Sequence, residues 1–80
     1  MSYERLKQLA VSESGFLFNP ITGDTFSLNP TALFLFNELK KYGDLALASE
    51  HLLEQFEVEE IEAQKDIETF VGQLSMHGLI

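Results

Sequence analysis

Large apolar residues recur at every second position in residues 16–19 and again in residues 25–28. Because side chains two residues apart on a strand point to the same side, each segment offers an apolar face to a core. Between the two segments, Pro20 fixes one backbone angle and Gly23 accepts the positive φ that a tight reversal needs. The pattern predicts a β-hairpin, with its second strand at residues 24–28.

Residues 4–12 precede this hairpin and alternate less regularly. In a strand, Leu9 and Val11 would share one face and Leu6 would lie on the other. Residues 13–15 have the composition of a tight turn into the hairpin. We therefore predict a first strand here, and a three-stranded antiparallel meander in the N-terminal part of the chain.

Three helices are predicted after the sheet, at residues 30–41, 45–56 and 59–77, because apolar residues recur there at helical spacing. Asn29 is a favourable N-cap, and Pro30 suits a first helical position, where its missing N–H has no helical partner. The order β-β-β-α-α-α predicts the α+β class, and a length of 80 residues predicts a single domain over residues 1–80.

Three helical positions leave a choice between packing and binding. Leu33 and Phe34 lie beside the predicted buried stripe of the first helix, either as a second buried flank or as an exposed patch for a partner. Gly72 lies inside the third helix, where glycine costs about 1 kcal/mol relative to alanine. We expect close helix packing at Gly72, with the close approach of a ligand as the alternative.

Composition narrows the range of functions. Thirteen acidic residues against five basic ones give a net charge of −8, which repels phosphate backbones and anionic lipid. The chain has no cysteine, so it has neither disulfides nor thiolate metal ligands. It shows no signal peptide, and its longest apolar run, residues 32–36, is too short to span a bilayer. We expect a cytoplasmic protein that binds neither nucleic acid nor membranes.

No set of residues has the spacing of a reactive site. His51 and His77 fall on different predicted helices and lack the neighbours of a zinc motif; His51 is expected to be solvated and His77 to complement a helix C-terminus. No serine lies in a G-x-S-x-G context, and the glycines form no phosphate-binding loop. We predict a protein that is not an enzyme and has no cofactor or metal.

An ordered set of residues over positions 9–80 resembles the PqqD family, the coenzyme PQQ synthesis protein D-like domains that are also called RiPP recognition elements. The residues that carry the resemblance are Leu28-Asn29 before the first helix, Thr31-Ala32, Phe36, Phe56, Asp66-Ile67, Phe70, Leu74 and Gly78-Leu79.

The resemblance implies a winged helix-turn-helix-like fold and a non-catalytic peptide chaperone. Such a domain binds the leader of a ribosomally synthesised precursor peptide and presents it to a modifying enzyme, often of the radical-SAM type, as in PQQ or related biosynthesis. The leader adds as a strand to the third strand and lies against the third helix. In this chain the implied peptide-binding residues are Asp24, Thr25, Phe26, Ser27, Leu28, Ile67, Phe70, Val71 and Leu74.

The residue pattern agrees with strand addition, since residues 24–28 contain neither the proline nor the lysine that blunts many edge strands. Three alternatives remain open at this point. Helices cover the edge, two copies pair through it as a homodimer, or the apolar surface serves protein docking or self-association without a leader peptide.

Overall fold

The structure, a computed structural model, describes residues 3–80. Its elements, in chain order, are a 3-10 helix at Glu4–Gln8, strands β1 (Ala10–Val11), β2 (Phe16–Phe18) and β3 (Thr25–Ser27), and helices α1 (Pro30–Tyr42), α2 (Leu45–Gln55) and α3 (Glu60–Met76). The three strands form one antiparallel sheet, and the three helices follow it. The predicted α+β class and the predicted order of elements are confirmed.

The predicted first strand at residues 4–12 is wrong over most of its length. Tyr3, Leu6 and Leu9 are buried, and their spacing of three residues is the period of the 3-10 helix that forms there. β1 extends over two residues and pairs with β2. The N-terminal segment therefore contributes core side chains more than it contributes sheet.

The sheet has the order β1-β2-β3, and Leu17 of β2 lies opposite Phe26 of β3. Leu17 is buried beneath the helices, whereas Phe16 and Phe18 are 54% and 44% exposed on the outer face. In the turn, the buried Asn19 accepts a hydrogen bond from the Ile21 N–H through its side chain at 3.0 Å. The alternation of β2 was predicted, but the expectation that its phenylalanine side faces the core is wrong, because Leu17 and Asn19 occupy the core side instead.

Local capping sets the helix ends. The Asn29 side chain accepts a hydrogen bond from the Ala32 N–H at 2.8 Å, which confirms the predicted N-cap of α1. The Asp44 side chain accepts from two amides at the start of α2. At the end of α3, Gly78 takes a φ of 69°, and the Leu79 N–H donates to the Leu74 carbonyl at 2.8 Å.

One cluster of buried side chains joins the N-terminal segment, the sheet and the three helices. Its buried members are Tyr3, Leu6, Leu9, Leu17, Ala32, Leu35, Phe36, Leu39, Ala48, Leu52, Ala63, Phe70, Leu74 and Leu79. Phe34 packs edge-on against Phe56 with ring centroids 5.4 Å apart, and this contact supports the buried-flank alternative for Phe34.

Gly72 does not have the close packing expected for it. A Cβ atom built at this residue meets no atom within 4 Å, and the residue is exposed. Gly72 therefore lies on the solvent side of α3, and no contact among the described residues requires a glycine there.

Two side chains fix the N-terminal segment to the helices. The Arg5 guanidinium donates to the Gly78 carbonyl at 3.0 Å, beyond the end of α3. The Lys40 ammonium of α1 donates to the Leu9 carbonyl at 3.0 Å. The first bond joins the N-terminal segment to the residues that follow α3, and the second joins it to α1.

Candidate functional site

The open edge of β3 is the first part of the candidate site. β3 ends the sheet order, and no strand of residues 3–80 lies beyond it. The Leu28 N–H donates to the Gly15 carbonyl at 2.7 Å, and the Asp24 carbonyl accepts from the Asn19 N–H at 2.9 Å. Because antiparallel pairs alternate between bonded and non-bonded positions, the backbone groups between these two bonds alternate in direction.

This alternation decides which backbone groups of β3 are open. The backbone N–H and C=O groups of Phe26 are directed at Leu17 of β2. The bonded positions on either side, Asp24 and Leu28, have the same direction. The N–H and C=O groups of Thr25 and Ser27 point away from β2, toward the open edge. The edge therefore offers two donors and two acceptors at two alternate residues, which is what an added strand requires.

A groove between β3 and α3 is the second part of the site. It consists of two adjoining cavities of about 230 and 310 Å³, which share Ser27, Leu28, Phe70 and Gln73 as lining residues. The first cavity lies toward the C-terminal end of α3, and the second lies one helical turn nearer its start. The groove runs directly beside the open edge.

The two cavities differ in chemistry. The floor of the first is apolar and is made by the buried residues Leu17, Leu74 and Leu79. We call it the apolar half of the groove. The lining of the second adds Ala32 and three polar residues, Asn29, Asp66 and Thr69, and we call it the polar half.

Phe26 and His77 both line the apolar half, and their rings are in contact. Their ring centroids lie 4.3 Å apart with an angle of 53° between the planes. Phe26 is half-buried against the core, whereas His77 is exposed. This contact joins β3 to the end of α3 within the lining of the apolar half.

The structure brings together most of the residues that were predicted to bind a peptide. Phe26, Ser27, Leu28, Phe70 and Leu74 line the groove. Thr25 precedes them on the same strand, and Asp24 lies in the turn before it.

Ile67 and Val71, which were also predicted to bind a peptide, lie on a different flank of α3. Ile67 lines a separate cavity with Ser49 and Leu53 of α2, so it is directed away from β3. Val71 is half-buried and is not among the residues that line the groove.

Sequence reasoning missed the polar residues of the groove on α3. Asp66, Thr69, Gln73 and His77 line it from the helix side, around the buried Phe70. Their steps of three and four residues form a helical stripe that the sequence contains. Apolar periodicity does not indicate this stripe, because that periodicity identifies only the face of α3 that packs on α2 and the core.

The remaining candidate residues do not form a second site. His51 was expected to be solvated, but its ring nitrogen Nδ1 lies 3.0 Å from a Glu38 carboxylate oxygen, with Tyr42 edge-on at 5.6 Å. Within residues 3–80, no group of three histidine, aspartate or glutamate side chains is placed to hold a metal ion. No helix in that part of the chain is both long and apolar enough to cross a membrane.

An open strand edge beside an apolar groove is the arrangement found in domains that bind an extended peptide by strand addition. The family model described as "Coenzyme PQQ synthesis protein D (PqqD)" matches residues 15–80, and the chain belongs to this family. Members of the family are non-catalytic accessory proteins related to PQQ biosynthesis. No curated protein and no solved structure matches the chain in the corresponding comparisons.

Proposed function

We propose that this protein is a non-catalytic peptide chaperone that binds the leader of a ribosomally synthesised precursor peptide. The leader adds as a strand to β3 and rests in the groove against α3. The bound precursor is then presented to a modifying enzyme of the radical-SAM type. Family membership supports this class of function, and the open edge of β3 beside the groove is the observation that carries the mechanism.

The chemistry of the site supports capture and not turnover. Main-chain bonds to Thr25 and Ser27 give affinity for any extended segment, while the apolar half of the groove holds a side chain of that segment. Burial of a large apolar side chain there contributes on the order of 1.5–3 kcal/mol, because its surface leaves water. The two contributions together select a strand of suitable sequence.

A proline substitution at Ser27 tests strand addition. Proline lacks the N–H that an added strand needs, and at this position the missing donor is one that points away from β2. A proline at Phe26 would instead remove a donor directed at β2 and weaken the sheet itself. We expect Ser27→Pro to retain the fold and lower peptide affinity at least about ten-fold, since one buried main-chain bond and the local strand geometry are lost.

The matched control is Ser27→Val, which has a similar apolar size and retains the N–H. The probe is a peptide enriched on the wild-type protein from a displayed library of random dodecapeptides. Affinity is measured by fluorescence anisotropy and folding by circular dichroism. Equal affinity of the two variants for this peptide would contradict strand addition at β3.

Pairing of two copies through β3 is the competing use of the same edge. Light scattering coupled to size exclusion measures it directly, at concentrations spanning the range used for peptide binding. A dimer that Ser27→Pro dissociates, together with no enrichment of any peptide on the protein, would replace the chaperone proposal with self-association.

A further inference from the structure

The lining of the groove contains one aspartate side chain. Asp66 of α3 lines the polar half, and no other acidic or basic residue of the described chain lines either half apart from the histidine at the far end. Asp66 is exposed, and within residues 3–80 its side chain has no hydrogen-bond or ion-pair partner. Its charge is therefore available to a bound molecule.

The apolar and polar halves succeed one another along α3. The helix residues that line the apolar half are Phe70, Gln73, Leu74 and His77, and those of the polar half lie four positions earlier in each case. Four residues of an α-helix span about 6 Å. The charge of Asp66 therefore lies roughly one helical turn from the apolar floor.

An extended peptide meets both halves with side chains on one face. Successive strand residues point to opposite faces, so the nearest residue on the same face is two positions on, about 6.6 Å away. For a peptide that runs along α3, this step is close to the displacement of about 6 Å between the two halves. A side chain in the apolar half and a second one two positions along the peptide then enter the groove together.

The net charge of the whole protein also favours a cationic side chain beside Asp66. The chain has a net charge of −8, and Glu62 lies one turn before Asp66 on α3. A cationic side chain beside Asp66 is attracted both by the adjacent carboxylate and by the field of the whole protein, whereas an anionic one is repelled.

We propose that the groove selects peptides in which a large apolar residue and a lysine or arginine lie two positions apart on the groove-facing side, with the cation beside Asp66. This inference rests on the proposed function and adds the chemical class of the bound segment. The apolar side chain supplies affinity, and the cation sets the register of the peptide along β3 and its direction relative to α3.

Selection from a displayed library of random dodecapeptides tests this proposal without a known ligand. The wild-type protein, Asp66→Lys and Glu68→Lys are each used as bait. Glu68 is exposed on the flank of α3 that lines the cavity shared with α2, so its reversal changes the net charge equally without altering the groove. Circular dichroism verifies that all three proteins are folded.

We expect the wild-type and Glu68→Lys pools to be enriched in an apolar residue and a basic residue two positions apart. The Asp66→Lys pool should keep the apolar residue and lose the basic one. For one synthetic peptide from the wild-type pool, Asp66→Asn should lower the affinity about two- to five-fold, the range of an exposed ion pair. Exchange of its basic residue for glutamate should restore binding to Asp66→Lys.

Two results overturn the inference, and they differ in what they leave standing. Wild-type pools without a basic residue, or basic enrichment that persists with Asp66→Lys, would refute the role of Asp66 and leave peptide capture by β3 intact. Pools that show no enrichment over the unselected library would refute peptide capture itself, and the inference with it.

Discussion

The ring of Phe26, on β3, lies against the ring of His77 at the end of α3, with centroids 4.3 Å apart and planes inclined by 53°. The two residues lie 51 positions apart in the chain, and both line the apolar half of the groove. The contact between β3 and the end of α3 therefore involves the residue that follows the last turn of the helix.

Replacement of His77 by alanine should loosen this end of the groove. A pair of rings in this arrangement contributes about 0.5–1.5 kcal/mol beyond the area that it buries, so the free energy of unfolding should fall by about that amount. Urea unfolding followed by circular dichroism measures it. The neighbouring Met76 is 81% exposed, and Met76→Ala serves as a control that should change stability by less than about 0.5 kcal/mol. Equal losses in the two variants would contradict a specific contact at His77.

Gly15, which directly precedes β2, lies close to Leu28, the residue that follows β3. It has a φ of 93°, and a Cβ atom there would lie 2.5 Å from the Leu28 carbonyl oxygen. Gly15→Ala should therefore combine the cost of a positive φ, about 1–2 kcal/mol, with displacement of the strand end. Gly23→Ala is the matched control, because Gly23 has a φ of 81° and nothing within 4 Å of its Cβ position.

We expect Gly15→Ala to lower the free energy of unfolding by more than Gly23→Ala, by about 1 kcal/mol or more, because the clash is added to a shared backbone cost. Thermal and urea unfolding of the two variants provide the comparison. A larger loss at Gly23 would show that the approach of Leu28 to Gly15 does not constrain the end of β3.

Gly72→Ala should stabilise the protein. Gly72 lies within α3 with open space around its Cβ position, so alanine gains the helix propensity of about 0.5–1 kcal/mol without a clash. Gly43→Ala is the contrasting control, since Gly43 ends α1 with a φ of 68° and should lose stability. Destabilisation by Gly72→Ala would contradict the open space that surrounds this position in the structure.

The helices were predictable because several signals coincide at their ends. Asn29 with Pro30 begins α1, and the glycine at 78 follows the end of α3, while apolar residues at helical spacing define the faces between. These signals are local, so they act before tertiary packing. The bounds of α1 and α3 accordingly differ from the predicted ranges by a single residue at each displaced end.

The N-terminal segment was not predictable from alternation. Its apolar residues Tyr3, Leu6 and Leu9 follow a period of three, which a short sequence does not distinguish from an irregular strand. The 3-10 helix forms there because one face of it fills the core beside α1. The helix is therefore determined by tertiary packing, and the sequence of the segment contains no local signal for it.

The candidate site was predictable on the strand and in part on the helix. Phe70 and Leu74 lie in the groove as the resemblance implied, whereas Ile67 faces α2. The hydrophobic stripe of α3 is wide enough to contact two neighbours, and its sequence does not reveal which neighbour each side chain meets. The polar groove residues require knowledge of where β3 lies.

Amide hydrogen exchange at β3, measured by NMR with and without a library-selected peptide, tests strand addition to β3 most directly. The Leu28 N–H is bonded to Gly15 in the free protein, and the Phe26 N–H faces β2, so both should be protected before the peptide is added. We predict that the peptide confers new protection on Thr25 and Ser27, with chemical shift changes at Gln73 and His77. Binding that leaves Thr25 and Ser27 in fast exchange, with shift changes centred on Ile67 and α2 instead, would contradict strand addition in this groove.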